Sequence, residues 1–277
     1  MLSRILRNFA TERVAYKPKY FSQDQIDFYN REGFVVAKQV LPRSITDNLQ
    51  KWAKEMEDLP ETPGKWMKYF EVTKGQRLLC RVENFLPFFP ELREISYGMV
   101  TDMSSDLFGE QAVIYKEKIN FKFPQGSGFA AHQDQPAFVS FGCKKLLTVL
   151  LPIDANTRQS GGLDFVRQHH IPAEILPQNS DGSLRTDIEA KLNWIPLDAH
   201  GGDLVFFDSY APHRSDVNTS ASTRRNLYLT YNPLSHGSWR DKYYEEKRRV
   251  FPPECERDPT KDYSEGAKVF NVANPIK

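Results

Sequence analysis

Apolar residues recur at helical spacing through the first hundred positions and then switch to alternation with polar ones. Ser22-Gln23-Asp24-Gln25 forms a capping box, followed by Ile26, Phe28 and Tyr29, so a helix is predicted to about Arg31 with Gly33 as its stop. Phe34-Val35-Val36-Ala37 reads as a short strand. Ile45, Leu49, Trp52, Ala53 and Met56 predict a second helix over residues 42–59. Leu92, Ile95, Met99, Met103 and Leu107 predict a third over 89–108, closed by Gly109. Residues 60–76, with prolines, glycines and Trp66, Tyr69 and Phe70, read as an irregular segment that lies over a pocket or packs structurally. Residues 1–112 are thus expected to be mostly helical.

From Val113 the period becomes two. Val113, Tyr115, Ile119 and Phe121 alternate with Ile114, Lys116, Lys118, Asn120 and Lys122, so one face of a strand over 113–122 carries a polar row, facing either water or a site. Further strands are predicted at 146–151, 163–167, 204–207 and 226–231, separated by Gly, Asn, Asp and Ser turns. Short strands with such punctuation predict a jelly roll over 113–235, interrupted by a loop-rich insertion at about 168–198. The charged, proline-rich tail, 236–277, is expected to wrap the same domain. No repeat or low-complexity tract appears.

At 277 residues, one domain is expected. Lys+Arg 37 against Asp+Glu 36 gives a net charge of +1, which argues against nucleic acid and acidic membranes as partners. No apolar stretch is long enough for a membrane span, and the mean hydropathy of -0.57 agrees. Cys80, Cys143 and Cys255 are scattered and odd in number, as expected for reduced thiols in a cytoplasm. The basic, amphipathic start Met1-Leu2-Ser3-Arg4-Ile5-Leu6-Arg7-Asn8-Phe9 reads as an arm packed on the domain or on a partner subunit, with a transit peptide as the weaker alternative. A homodimer is left open.

The chemistry centres on Phe129-Ala130-Ala131-His132-Gln133-Asp134. In extended chain His132 and Asp134 point the same way and can share one metal. His213, about eighty residues further on and just after a Gly-Asp turn and a hydrophobic strand, offers a third ligand. Two histidines and one carboxylate leave other positions of an octahedral ion open, as in non-haem Fe(II) oxygenases. A His-x-Asp pair alone is weak evidence, since most such pairs are loop residues.

The joint order is more specific. Lys118-Ile119-Asn120-Phe121-Lys122-Phe123-Pro124, His132-Gln133-Asp134, Ser160-Gly161-Gly162-Leu163-Asp164-Phe165-Val166, Gly202-Asp203-Leu204-Val205, His213-Arg214-Ser215 and Arg224 together resemble the phytanoyl-CoA dioxygenase family, whose members include ectoine hydroxylase. The resemblance covers roughly residues 20–235. It implies a mainly β fold with flanking helices, a double-stranded β-helix of the jelly-roll type, and Fe(II), 2-oxoglutarate and O2 as cofactor and co-substrates. It implies His132, Asp134 and His213 as iron ligands, and Arg224, eleven residues past His213, as the partner of the distal 2-oxoglutarate carboxylate. Period two puts Arg225 on the opposite face with Leu227, Leu229 and Tyr231. Asn120 matches an asparagine that contacts 2-oxoglutarate in ectoine hydroxylase; Lys118 and Thr148 are placed beside the co-substrate. Asp134 argues against the halogenating relatives, which lack this carboxylate. Two departures border the pocket: Arg167-Gln168-His169-His170 replaces a Pro-Gly-Ser-His turn, leaving His169 and His170 as turn residues, and Arg214 stands where glycine is frequent.

The implied reaction hydroxylates an unactivated C–H bond and yields succinate and CO2. Lys116, Asn226, Phe138 and Tyr231 are the candidate substrate contacts: cations beside an aromatic wall suit a small zwitterion such as an aminoalkylphosphonate or amino-acid derivative. Gln133-Asp134-Gln135-Pro136-Ala137-Phe138 also resembles the aminophosphonate hydroxylases of this family. An acyl-CoA, a secondary metabolite, or a metal-binding jelly-roll isomerase or binding protein remain as alternatives.

Overall fold

The computed structural model describes residues 16–167, 174–271, 273 and 276. The N-terminal arm and the His169-His170 turn lie outside the described residues. In chain order the elements are α1 (Gln23–Glu32), β1 (Phe34–Ala37), α2 (Arg43–Asp58), β2 (Met67–Thr73), β3 (Gln76–Glu83), α3 (Pro90–Tyr97), α4 (Met99–Phe108), β4 (Ala112–Lys122), β5 (Phe129–His132), β6 (Leu147–Pro152) and β7 (Leu163–Val166). They continue with α5 (Thr186–Glu189), β8 (Trp194–Pro196), β9 (Leu204–Asp208), β10 (His213–Ser215), β11 (Arg224–Pro233), α6 (Arg240–Val250) and α7 (Ser264–Phe270). The strands form two antiparallel sheets, ordered β1-β9-β6-β11-β4-β3-β2 and β5-β10-β7-β8, which is the expected jelly roll.

Two cores cover the two faces of the large sheet. On the outer face, Leu49, Ala53, Met56, Leu92, Val100 and Met103 of the helices pack against Ile119, Phe121, Leu227 and Leu229. On the inner face, Phe34, Leu150, Val205, Phe207 and Tyr228 meet Leu163 and Phe165 of the small sheet. The capping box forms as predicted, with Ser22 Oγ accepting from Gln25 N and Gln25 Oε1 accepting from Ser22 N. No helix among the described residues is long and apolar enough to cross a membrane.

Two expectations are corrected, and the tail gains two helices. Residues 67–83 form a hairpin, closed by Lys74 and Gly75, both at positive φ (52° and 77°), as a tight two-residue turn requires. Its strands escaped detection because both faces are covered and the apolar alternation is lost. The helix predicted over 89–108 is two helices meeting at Gly98, where a Cβ would lie 2.7 Å from the Glu94 carbonyl oxygen. The tail carries α6 and α7, and α6 packs against β4: Tyr244 Oη donates to Glu117 O, and the Arg240 guanidinium donates twice to the Glu117 carboxylate.

The hairpin brings Arg81 and Glu83 to the inner face beside Asn120 and Lys118. Glu83 is fully buried and pairs with Lys247 of α6 at 2.6 Å and Arg81 at 3.3 Å. Burial pushes the Glu83 carboxyl up, but Lys247, Arg81 and Lys116 outweigh it and hold it down at about 2. A carboxyl lowered on folding stabilises fully above its ordinary value of 4.5 and loses that contribution as pH falls toward about 2. Glu83→Gln strands two buried cations. It is expected to lower stability by about 3–5 kcal/mol in urea melts and to flatten the acid limb of the stability curve; Lys247→Met in the same chain should recover part of the loss.

Candidate metal centre

The two histidines come together by strand pairing. His132 ends β5, His213 begins β10, and the two are register partners with ring centroids 4.3 Å apart. Each fixes its own tautomer. A carbonyl oxygen only accepts, so Nδ1 of His132 donates to Ala130 O at 2.7 Å and Nδ1 of His213 to Ala211 O at 3.1 Å. Both Nε2 lone pairs are left free, as a metal ligand requires. Phe165 stacks on His213 and Phe207 meets it edge-on, which fixes the ring plane.

Asp134 lies two residues beyond the end of β5, with Oδ1 3.8 Å from His132 Nε2. One ligand atom from each of His132, Asp134 and His213 lies within 4.8 Å of the others, so the three can hold one ion. The buried Gln133 between them locks the turn: its amide donates to Glu174 O and Tyr210 O and accepts from Leu176 N. Gln135 adds a second anchor, accepting from Ser209 Oγ at 2.7 Å.

The electrostatics suit a cation. Burial, with the neighbouring His213, pushes the His132 imidazole down to about 3, and burial lowers His213, so both stay neutral at ordinary pH. Burial pushes the Asp134 carboxyl up, but Lys118 foremost, then His213 and His132, hold it below the usual carboxylate range. The donor set of two neutral imidazoles and one carboxylate fits Fe(II) with open positions.

A cavity of about 370 Å3 opens from these donors. It is lined by Lys118, Asn120, Phe129, Leu163, Arg214, Ser215, Arg224 and Tyr228, besides the three donors. Arg224 is buried, with no carboxylate partner among the described residues; its Nη2 donates to Gly161 O, and Asn226, with its amide oxygen turned inward, accepts from Nη1 at 2.8 Å. Lys122 donates to the same Gly161 carbonyl and to Ser215 Oγ; burial and the Arg224 charge push its ammonium down to about 6. Gly161 has φ +66°, and a Cβ there would lie 2.3 Å from Asp216 O, so only glycine presents this carbonyl to both cations. Arg225 instead forms a bidentate pair with Asp154 at 2.7 and 2.9 Å on the other face.

Of the sequence candidates, His132, Asp134, His213, Arg224, Asn120 and Lys118 surround the cavity. Lys116 and Phe138 do not line it: Phe138 is buried in a cluster with Tyr115 and Tyr243, and Lys116 Nζ lies 4.8 Å from its ring centroid. Asn226 supports Arg224 from behind, and Thr148 is tied to Thr230 by a 3.0 Å hydroxyl contact. Tyr231 is a correction: odd positions of β11 face outward, and its hydroxyl donates to Ser96 O in the outer core. Tyr228, which the same alternation from Arg224 points to, occupies the inner position instead. Arg81 and Glu83 were missed with their hairpin.

Three comparisons bear on the chain. A family model described as phytanoyl-CoA dioxygenase matches residues 29–226. The 2-aminoethylphosphonate dioxygenase of an uncultured bacterium (HF130_AEPn_1) is 46% identical over 262 residues, covering 93% of this chain and 99% of that protein. The methylphosphonate hydroxylase of Gimesia maris is 37% identical over 231 residues, covering 83% of this chain and 88% of that protein. The crystal structure of EctD from S. alaskensis with 2-oxoglutarate and 5-hydroxyectoine superposes with a TM-score of 0.69 at 18% identity, over 80% of this chain and 81% of that one. Asp134→Ala removes one of three donors and is expected to weaken Fe(II) binding by roughly tenfold or more in anaerobic titrations, with the circular dichroism spectrum unchanged.

Proposed function

The chain belongs to the phytanoyl-CoA dioxygenase family and is an iron- and 2-oxoglutarate-dependent dioxygenase, and on that premise we propose that it hydroxylates an unactivated C–H bond of a small aminoalkylphosphonate. The observation that carries the reading is the convergence of His132, Asp134 and His213 on one point facing a buried Arg224 that has no carboxylate partner among the described residues. The two most similar relatives described above are named for phosphonates, which supports the substrate class. The positive inner wall supports it too, since it suits a compact anion better than a long acyl chain.

In this reading His132, Asp134 and His213 hold the iron, and Arg224 takes the distal carboxylate of 2-oxoglutarate through its fork. Lys122, held with Arg224 on the Gly161 carbonyl, backs that pole, and Asn120 flanks the co-substrate between the pole and the metal, with Lys118 at the boundary with the substrate end. Bound iron, 2-oxoglutarate and O2 together supply the oxidation that converts a C–H bond to C–OH and 2-oxoglutarate to succinate and CO2. The protein's part is to orient both anions, keep the histidines neutral and exclude water, as the aromatic ring contacts around His213 do. The chain works as one oxygenase unit, with α6 completing the inner wall. The near-neutral charge supports a cytoplasmic enzyme acting on a small molecule, without nucleic acid or membrane.

Anaerobic addition of Fe(II) and 2-oxoglutarate is expected to give a visible charge-transfer band, and 2-aminoethylphosphonate is expected to perturb it and to drive succinate release in air. Arg224→Ala should raise the 2-oxoglutarate concentration needed for half-saturation by roughly a hundredfold. Absence of the band in folded, iron-loaded protein would defeat the assignment of these residues.

A further inference from the structure

Two ammonium groups on the inner face of β4 have no hydrogen-bond acceptor among the described residues. Lys116 Nζ meets only ring faces, 4.8 Å from the centroid of Phe138 and 5.5 Å from that of Tyr243, and Lys118 Nζ lies 5.0 Å from the Tyr228 centroid. Lys116 is buried. Arg81, also buried, donates Nε to Asn120 and Nη1 to Glu83, which leaves Nη2 without an acceptor. Two carboxylates face these groups: Glu83, which Lys247 already claims, and Asp134, which is turned to the metal centre. Desolvated cations facing rings recover only part of their lost hydration, so the cluster is short of negative charge.

The strand ladder locates that shortage. Along β4 and β11, Lys122 stands opposite Arg224, Asn120 opposite Asn226, Lys118 opposite Tyr228 and Lys116 opposite Thr230. At about 3.4 Å per residue, Lys116 lies about 20 Å of strand from Lys122. A five-carbon dicarboxylate seated on Arg224 and the metal leaves the Lys116 end free. That end is closed by α6, whose Tyr243 and Lys247 lie beyond the residues 29–226 matched by the family model.

We propose that Lys116, Lys118 and Arg81 form a second anion subsite that takes the phosphonate group of the substrate, with α6 as its end wall. The proposal rests on the phosphonate reading of the preceding section. Three donors arriving from two strands match the three oxygens of a tetrahedral phosphonate, one donor to each oxygen.

The test uses protein loaded anaerobically with Fe(II) and 2-oxoglutarate, titrated with methylphosphonate by calorimetry while the charge-transfer band is followed. Lys116→Met is expected to weaken methylphosphonate binding by roughly tenfold or more while the band and the 2-oxoglutarate affinity stay as in wild type, and Lys116→Arg should restore most of the binding. Lys116→Met keeps the volume and removes a buried charge; should it fail to fold, Arg81→Lys, which loses the fork and keeps the charge, is expected to show the same selective loss. Equal methylphosphonate binding in wild type and variant overturns the subsite and leaves the phosphonate reading intact. A loss confined to 2-oxoglutarate overturns it by giving the lysine to the co-substrate. Wild type that forms the band yet binds neither methylphosphonate nor 2-aminoethylphosphonate overturns both.

Discussion

The register between β4 and β11 decides which side chains enter the interior, and the rest of the site depends on it. Pairing Arg224 with Lys122 and Tyr228 with Lys118 turns even-numbered positions of residues 116–122 and 224–230 inward and odd-numbered Ile119, Phe121, Leu227 and Leu229 toward the helices, up to the bulge at 114–116. A slip of one residue would exchange Lys118, Asn120 and Arg224 for Ile119, Phe121 and Arg225. The apolar contacts of Ile119, Phe121, Leu227 and Leu229 with the helices therefore hold the polar row in place from behind.

A polar row facing inward brings cations into low dielectric, and the fold answers in two ways. Near Arg224 and Lys122 the compensation is neutral: backbone carbonyls and a serine hydroxyl, gathered by one left-handed glycine. Near Lys247 it is a full charge, Glu83, which Arg81 meets only through Nη1. Neutral acceptors leave a cation's charge available to an incoming anion, whereas a carboxylate uses it up. The interior thus carries cations already spent on structure and cations held in reserve, and the histidines between them stay neutral because burial outweighs the pull of Asp134.

The metal motif and the central strands were readable because they follow simple rules: His132 and Asp134 lie two residues apart at the end of β5, and β4 alternates from Lys116 to Lys122. The two lysines in that alternation had an equally good reading as solvated residues, and only burial separates the two. The β2–β3 hairpin was hidden because burial on both sides erases alternation, and with it went Arg81 and Glu83, whose role depends on partners far away in sequence. Tyr231 was misplaced although Arg225, Leu227 and Leu229 had already been assigned to the outward face, so the same counting selects Tyr228. The contribution of α6 had no signal at all, since Lys247 looks like any lysine in a charged helix until Glu83 is beside it.

Arg214, next to a metal-binding histidine, stacks on Trp194 and pairs with Asp164 at 3.2 Å and Glu189 at 2.7 Å. Gln133, next to the other histidine, holds Glu174 and Leu176. Both neighbours of the metal centre are thus wired to the segment that follows residue 173. Such a segment is not free to drift as surface loops usually are: an insertion or deletion there would displace groups that orient the histidines. The opposite wall, built by α6, reaches the centre from the other side: Tyr243 packs on Phe141 at the end of the turn that begins after Asp134, so a change of wall there is felt at the carboxylate before it is felt at the histidines.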